Sequence, residues 1–339
     1  MPKPLDISLS RSRRHFLTAA GAAGLWPAVA SAQHITANPT PPSGQDSASG
    51  ETASLAARTD SASHLTVPVL INGKGPFNFV VDTGAERSVI ADSLAETLGL
   101  PQAHNVTVQG IINLVTVTSV HADVVSFGPF VRKNLLLPVL PRATLAADGF
   151  LGLDVIDGSR VTFDFKGHAV RIDQPRYYMA PDNPATTTRL NAEGRAGRLQ
   201  IVDCVVDDVS CAAFIDTGAE VSVGNTALLE RLKARRKVAF DDRTIMLTGV
   251  TGGEMLGQVV PVSRIRLQDL SFTDGVLAIA DVPDFDAWKL HTQPAVLIGM
   301  NYLRQFTSVS VDYRAKEIRF ELSQVPPSPR PGVQLHAIA

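Results

Sequence analysis

The sequence holds only two cysteines in 339 residues, and its 31 basic residues nearly match its 33 acidic ones. A formal charge of −2 leaves no basic footprint for nucleic acid. None of the eight histidines stands at metal-ligand spacing with acidic or cysteine neighbours, and two sulfurs alone do not complete a zinc site. The glycine-rich run Thr248–Gly257 is not a Gly-x-Gly-x-x-Gly opening a helix, which excludes the dinucleotide fingerprint. Ser88 and Ser222 lack a Gly-x-Ser-x-Gly setting, which disfavours a serine hydrolase. With 45% hydrophobic, 19% charged and 6% aromatic residues, the chain reads as globular, not as a coiled coil, collagen or membrane bundle. Its length suffices for two lobes.

Both cysteines lie in the segment from Cys204 to Cys211. A two-residue turn at Asp207-Asp208 pairs 206 with 209, 205 with 210 and Cys204 with Cys211 across two antiparallel strands. The pair is then either a disulfide, in an oxidising compartment, or two buried thiols.

The ends differ from the middle. Arg13-Arg14-His15-Phe16-Leu17 is similar to a twin-arginine export signal, followed by a weakly apolar stretch to Ala30 and then Ala30-Ser31-Ala32. That apolar stretch falls short of the roughly 20 residues a membrane helix needs. Its segment carries Lys3, Arg11, Arg13, Arg14 and Asp6, so removal leaves 27 basic against 32 acidic residues. Residues 33–63 are rich in Ser, Ala, Thr, Pro and Gly and predict a disordered linker, with a pro-segment as the alternative. The Pro-Pro-Ser-Pro-Arg-Pro tail reads as extended.

Between the ends the chain repeats itself. Asp82-Thr83-Gly84-Ala85-Glu86 recurs as Asp216-Thr217-Gly218-Ala219-Glu220, an offset of 134. Phe150-Leu151-Gly152-Leu153-Asp154 answers Leu297-Ile298-Gly299-Met300-Asn301 at 147, and Val161–Phe165 answers Val309–Tyr313 at 148. Three landmarks in one order signify an internal duplication.

Short Val/Ile/Leu/Phe runs separated by Asn-Gly, Gly-Pro and Asp-Gly signals predict an all-β chain. Helical stretches are expected to be few, at Ala91–Leu98 and Ala227–Lys237. The organisation reads as a signal over 1–32, the linker over 33–63 and an N-terminal lobe over 64–180. A polar connection over 181–197, a C-terminal lobe over 198–325 and a tail over 326–339 complete it.

An apolar strand running into Asp-Thr-Gly puts a carboxylate at a strand end. The glycine permits a tight turn and close backbone approach, and the threonine hydroxyl can stiffen the loop. Two identical copies in a duplicated chain predict that Asp82 and Asp216 pair across a pseudo-two-fold axis. Asp154, Asn301, Asp164 and Asp312 read as local caps or turn residues.

The doubled Asp-Thr-Gly-Ala, each copy followed by an apolar-apolar-Gly segment, resembles the retropepsin-like aspartic proteases over about residues 64–323. It is similar to the single-chain, duplicated form in bacterial periplasmic aspartyl proteases. The resemblance implies an all-β fold of two pseudo-symmetric β-barrel lobes, few short helices, and an active site in the cleft between them. It implies Asp82 and Asp216 as the catalytic pair, Thr83 and Thr217 interlocking the loops, and Gly84 and Gly218 close to the substrate backbone. Ala85, Glu86, Ala219 and Glu220 would line the substrate. Flap hairpins would include Gly110-Ile111-Ile112 and Gly249-Val250-Thr251-Gly252-Gly253, and Ile111, Ile112 and Val250 motivate apolar subsites.

One departure concerns charge. The family's arginine after the glycine of the apolar segment is replaced by Leu153 and Met300, so Glu86 and Glu220 are expected to lack their partner. The chemistry implied is amide hydrolysis by a water held between two carboxylates that share a proton, without metal or cofactor. The partner implied is an extended polypeptide, not a nucleic acid, acted on by a monomer with no membrane span once the signal is cleaved, in the periplasm or outside the cell. A non-catalytic peptide-binding module of the same fold is the alternative; a homodimeric enzyme is disfavoured because both motifs occur in one chain.

Overall fold

Apolar runs bounded by turn residues become strands, and in each half these strands bend into a closed ring. The computed structural model describes residues 7–9, 52–56, 58–59, 65–173, 186–195, 198–235 and 242–322. In the N-terminal lobe the ring runs Leu65–Ile71, Lys74–Val81, Gly149–Leu151, Val89–Ala91, Phe130–Leu140, Leu114–Phe127 and back to Leu65–Ile71. In the C-terminal lobe it runs Arg198–Val206, Val209–Ile215, Ala295–Ile298, Val223–Gly224, Leu270–Ile279, Glu254–Leu267 and back to Arg198–Val206. The two topologies match strand for strand. Closure pairs main-chain groups that an open sheet leaves at its edges. Fully buried Val67, Val69, Ile90 and Phe79 fill the first ring, and Phe272 packs edge-on against Tyr302 and Phe306 in the second.

The two expected helices form as Asp92–Leu98 and Thr226–Arg235, each just after its Asp-Thr-Gly loop. Gly99 ends the first in the left-handed region at φ 63°. The cysteine register is also as read: Asp207 and Asp208 form the turn with φ 41° and 67°, and Cys204 stands opposite Cys211. The cysteines are free thiols with Sγ atoms 3.2 Å apart.

Beneath the rings the lobes share one sheet, in the order Thr52–Ala56, Ala169–Asp173, Arg160–Asp164, Ser308–Asp312, Glu317–Glu321, Thr187–Arg195. At its centre Thr162 pairs with Ser310, hydroxyl to hydroxyl at 2.8 Å, so the pseudo-two-fold axis passes between them. Arg160 and Asp312 close one end of this seam as a buried ion pair. Asp312 also accepts from the Ala315 N–H and Asp164 from that of Gly167, so both aspartates serve turns as expected.

This sheet corrects two boundaries. Thr52–Ala56, inside the expected linker, is a strand, and so is Thr187–Arg195, inside the expected polar connection. The two are counterparts, each the outermost strand its lobe adds to the shared sheet. Outer strands are held by main-chain hydrogen bonds that need no apolar run, so composition concealed both. A three-residue strand, Ile7–Leu9, also pairs with Leu270–Phe272 inside the segment read as an export signal. The twin arginines, the apolar stretch, the remainder of the linker and the tail lie outside the described residues. Among the described residues no helix is long and apolar enough to cross a membrane.

Candidate active site

Strand Lys74–Val81 runs parallel to Gly149–Leu151, and the last link of that pair is Asp82 N–H to Leu151 O at 3.0 Å. Asp216 N–H makes the same bond to Ile298 O at 3.0 Å. Each aspartate is thereby fixed at a strand end, where the chain turns away.

The threonines lock the loops together. Thr83 N–H donates to Thr217 Oγ1 at 3.0 Å and Thr217 N–H to Thr83 Oγ1 at 3.1 Å. The hydroxyls continue across: Thr217 Oγ1 donates to Val81 O at 3.0 Å and Thr83 Oγ1 to Ile215 O at 3.3 Å. Both side chains are buried, so these polar groups depend on one another for partners. The glycines bring the carboxyls close. A Cβ on Gly84 would stand 2.7 Å from the Asp216 carboxyl carbon, and one on Gly218 would stand 2.5 Å from Asp82 Oδ2. A side chain at either position would displace the facing carboxyl.

The loop amides face their own carboxylates. Asp82 Oδ1 accepts from Gly84 N at 2.7 Å and Ala85 N at 3.1 Å, and Asp216 Oδ1 accepts from Gly218 N at 2.9 Å. Burial first, and the Asp82 charge second, push the Asp216 carboxyl up to about 7. The pair therefore holds a proton into the neutral range, with Arg198 and the loop amides pulling the other way.

The apolar-apolar-Gly segments brace these loops from behind. Gly152 N donates to Ser88 Oγ and Ser88 Oγ to Asp154 Oδ1; Gly299 N donates to Ser222 Oγ and Ser222 Oγ to Asn301 Oδ1. Leu153 N and Met300 N donate to the carbonyls of Ala85 and Ala219, and Asp154 N and Asn301 N to those of Glu86 and Glu220. Ala85 and Ala219 thus hold the frame through their backbones. Ser88 and Ser222, set aside as nucleophiles in the sequence, are the hinges of this brace.

The charge expectation is corrected. Glu220 forms a two-oxygen pair with Arg304 at 2.6 and 2.7 Å, and Glu86 pairs with Arg198 at 3.3 Å. Arg304 lies four residues beyond the expected position, one helical turn away. Arg198 comes from the opposite lobe, where its Nε also reaches Gly84 O at 2.8 Å and its guanidinium lies 5.0 Å from the Trp288 ring centroid. Neither arginine sits at the family's sequence offset, so the motif concealed both.

The two hairpin tips meet. Gly110 N–H closes its turn on Asn113 O, Gly252 N–H closes the other on Gly249 O, and Thr251 Oγ1 donates to Asn113 Oδ1. Ile111 packs on the C-terminal cluster of Phe214, Phe285 and Trp288, so at least this flap residue covers the opposite lobe. Each hairpin is also tied to a short helix of the other lobe. Thr144, on Arg142–Leu145, donates to Val250 O at 2.7 Å, and Gln109 Nε2 donates to Asp284, on Pro283–Ala287, at 2.9 Å. Among the described residues no three His, Cys, Asp or Glu side chains gather as a metal-binding group.

Two closed β-rings with interlocked Asp-Thr-Gly loops define a duplicated, retropepsin-like architecture. The family model for aspartyl proteases matches residues 67–155 and 202–302, one stretch in each lobe and more than half of the chain, and the protein belongs to that family. No curated protein matches the chain.

Proposed function

We propose that the protein is an aspartic endopeptidase in which Asp82 and Asp216 activate one water between them. The observation that carries this reading is the reciprocal threonine lock, which sets two carboxylates together in one chain with a proton retained to about 7. The ionised carboxylate takes a proton from the water as oxygen attacks the scissile carbonyl, and the protonated carboxyl donates toward the carbonyl oxygen. Collapse of the tetrahedral adduct breaks the C–N bond, and the amine leaves with a proton from the pair. The proton belongs to the pair, not to one member. The meeting hairpin tips support a substrate held extended beneath them, its backbone against Gly84 and Gly218.

The test is cleavage of an unfolded protein by wild type, Asp82→Asn and Asp216→Asn. Each substitution lowers kcat by at least about 10³-fold, within the range for removal of a general acid or base. Cleavage that persists in either variant contradicts the mechanism, and peptide binding without cleavage in wild type favours a binding module. The sequence of the first 32 residues supports export by a twin-arginine route. N-terminal sequencing of periplasmic material tests that, a start at Gln33 being the expected result.

A further inference from the structure

A third carboxylate, which the water chemistry does not use, lies within electrostatic reach of Asp216. Asp284 is the second residue of the short helix Pro283–Ala287, is half-buried, and accepts a hydrogen bond from the neutral amide of Gln109. Its surroundings come from four other elements. Gln109 faces it from the N-terminal hairpin, Arg198 from strand Arg198–Val206, and Glu86 and Asp216 from the two catalytic loops. On its own side Asp286 pairs with His291 at 3.9 Å.

Arg198 is the cation closest in role, yet its hydrogen bonds are directed elsewhere. Nε and Nη2 donate to Gly84 O, Nη1 donates to Glu86, and Cζ lies over the Trp288 ring at 5.0 Å from its centroid. Against its one positive charge stand Asp284, Glu86 and the single negative charge of the Asp82–Asp216 pair. This side of the cleft therefore carries an excess of negative charge in a setting where water is partly excluded. The opposite wall differs. There Thr144, a neutral group, makes the corresponding cross-lobe contact to Val250 O, and Arg142 is paired with Asp148 at 2.8 Å.

We propose that Asp284 makes the cleft select a polypeptide bearing a lysine or arginine side chain on the side of the scissile bond that lies against Pro283–Ala287. The opposite side, walled by Arg142–Leu145, takes no cation preference. This inference rests on the peptidase reading of Asp82 and Asp216, and names the class of substrate that site takes. An ammonium or guanidinium entering here gains a partly desolvated carboxylate, whereas a glutamate side chain meets like charge. Burial raises the Asp284 carboxyl to about 6, while the catalytic pair keeps its proton to about 7. Selection of cations therefore fades as Asp284 takes up a proton at about 6 and below.

The experiment is cleavage of a peptide library by the full chain at pH 6.5, with wild type, Asp284→Asn and Asp284→Lys. Wild type prefers Lys or Arg over Gln at one position, on one side of the cut, by about tenfold in kcat/KM, the factor equivalent to about 1.4 kcal/mol. Asparagine retains an acceptor for Gln109, so the wall keeps its contact while the Lys:Gln ratio falls toward one. Lysine at 284 inverts the ratio, favouring Glu. A purely structural role for Asp284 would lower cleavage of all peptides together and leave the ratio unchanged, which overturns the proposal, as does a symmetric preference on both sides. If wild type cleaves nothing, the peptidase reading fails on its own. Fluorescence anisotropy of Lys-, Gln- and Glu-containing peptides with the same three proteins then decides the role of Asp284 by the same ratios.

Discussion

The two lobes have the same ring, the same loop and the same brace, and they differ in charge. Behind the first loop the brace ends on Asp154, beside Arg87; behind the second it ends on Asn301, beside Val221. The acid of the first loop, Glu86, is held by an arginine from the other lobe, and that of the second, Glu220, by Arg304 of its own. The walls carry Thr144 on one side and Asp284 on the other. Geometry that both halves of the site need has stayed duplicated. The charges set around the two loops differ.

Removing the shared geometry has the larger effects. Thr217→Val keeps the side-chain shape but leaves Thr83 N–H and Val81 O without their partner in a buried site, at a cost of about 2–4 kcal/mol of stability. Thr83→Val costs a similar amount, measured by urea unfolding, because the lock is reciprocal; a large difference between the two would break the symmetry assigned to it.

The arginines are expected to differ. Arg198→Met frees Gly84 O and Glu86 and lowers kcat/KM by about 10-fold or more, with the alkaline limb of the pH profile shifted upward. The sign follows from Arg198 favouring the ionised form of Asp216, so its loss lets Asp216 keep its proton to higher pH. Arg304→Met breaks a partly exposed pair and changes stability by no more than about 1 kcal/mol, without that shift.

Stability itself responds to pH through the Asp82–Asp216 pair, whose shared proton is expressed in the raised value of Asp216. Its folded value of about 7 lies above the ordinary 3.8, so between these the folded state binds the extra proton, and this group's contribution falls as pH rises through that window. Asp216→Asn removes the penalty. The variant is expected to exceed wild type by about 1–3 kcal/mol at pH 8, the gain vanishing below about pH 4, in paired thermal melts.

The smallest effects come from exchanging the brace ends. Asp154→Asn copies what the C-terminal lobe already does and changes stability by about 0.5 kcal/mol or less. Asn301→Asp is less well tolerated, by about 1–2 kcal/mol at neutral pH, because Val221 gives the new carboxylate no counterpart of Arg87. Equal responses would mean that Arg87 does not explain the asymmetry.

Much of this architecture is written locally. Asp82 and Asp216, the glycines after them, the two longest helices and the Cys204–Cys211 register follow from turn chemistry and repetition along the chain, whereas the one-turn helices such as Arg142–Leu145 and Pro283–Ala287 carry too few residues to show a helical period. The outer strands Thr52–Ala56 and Thr187–Arg195 do not, since a neighbour's backbone, not their own side chains, makes them strands. The partners of Glu86, Glu220 and Asp284 are likewise set by folding. Arg198 lies 112 residues from Glu86, and Gln109 lies 175 from Asp284, separations at which no sequence spacing signals a contact.

Both Asp-Thr-Gly loops of the site belong to one chain. The most direct test that each molecule acts alone is cleavage by an equimolar mixture of Asp82→Asn and Asp216→Asn chains, compared with each variant alone and with wild type. If each molecule builds its site from its own two lobes, the mixture is as inactive as its components. Recovery of cleavage on mixing, rising with protein concentration, would mean that carboxylates from two chains meet, and would contradict the single-chain site.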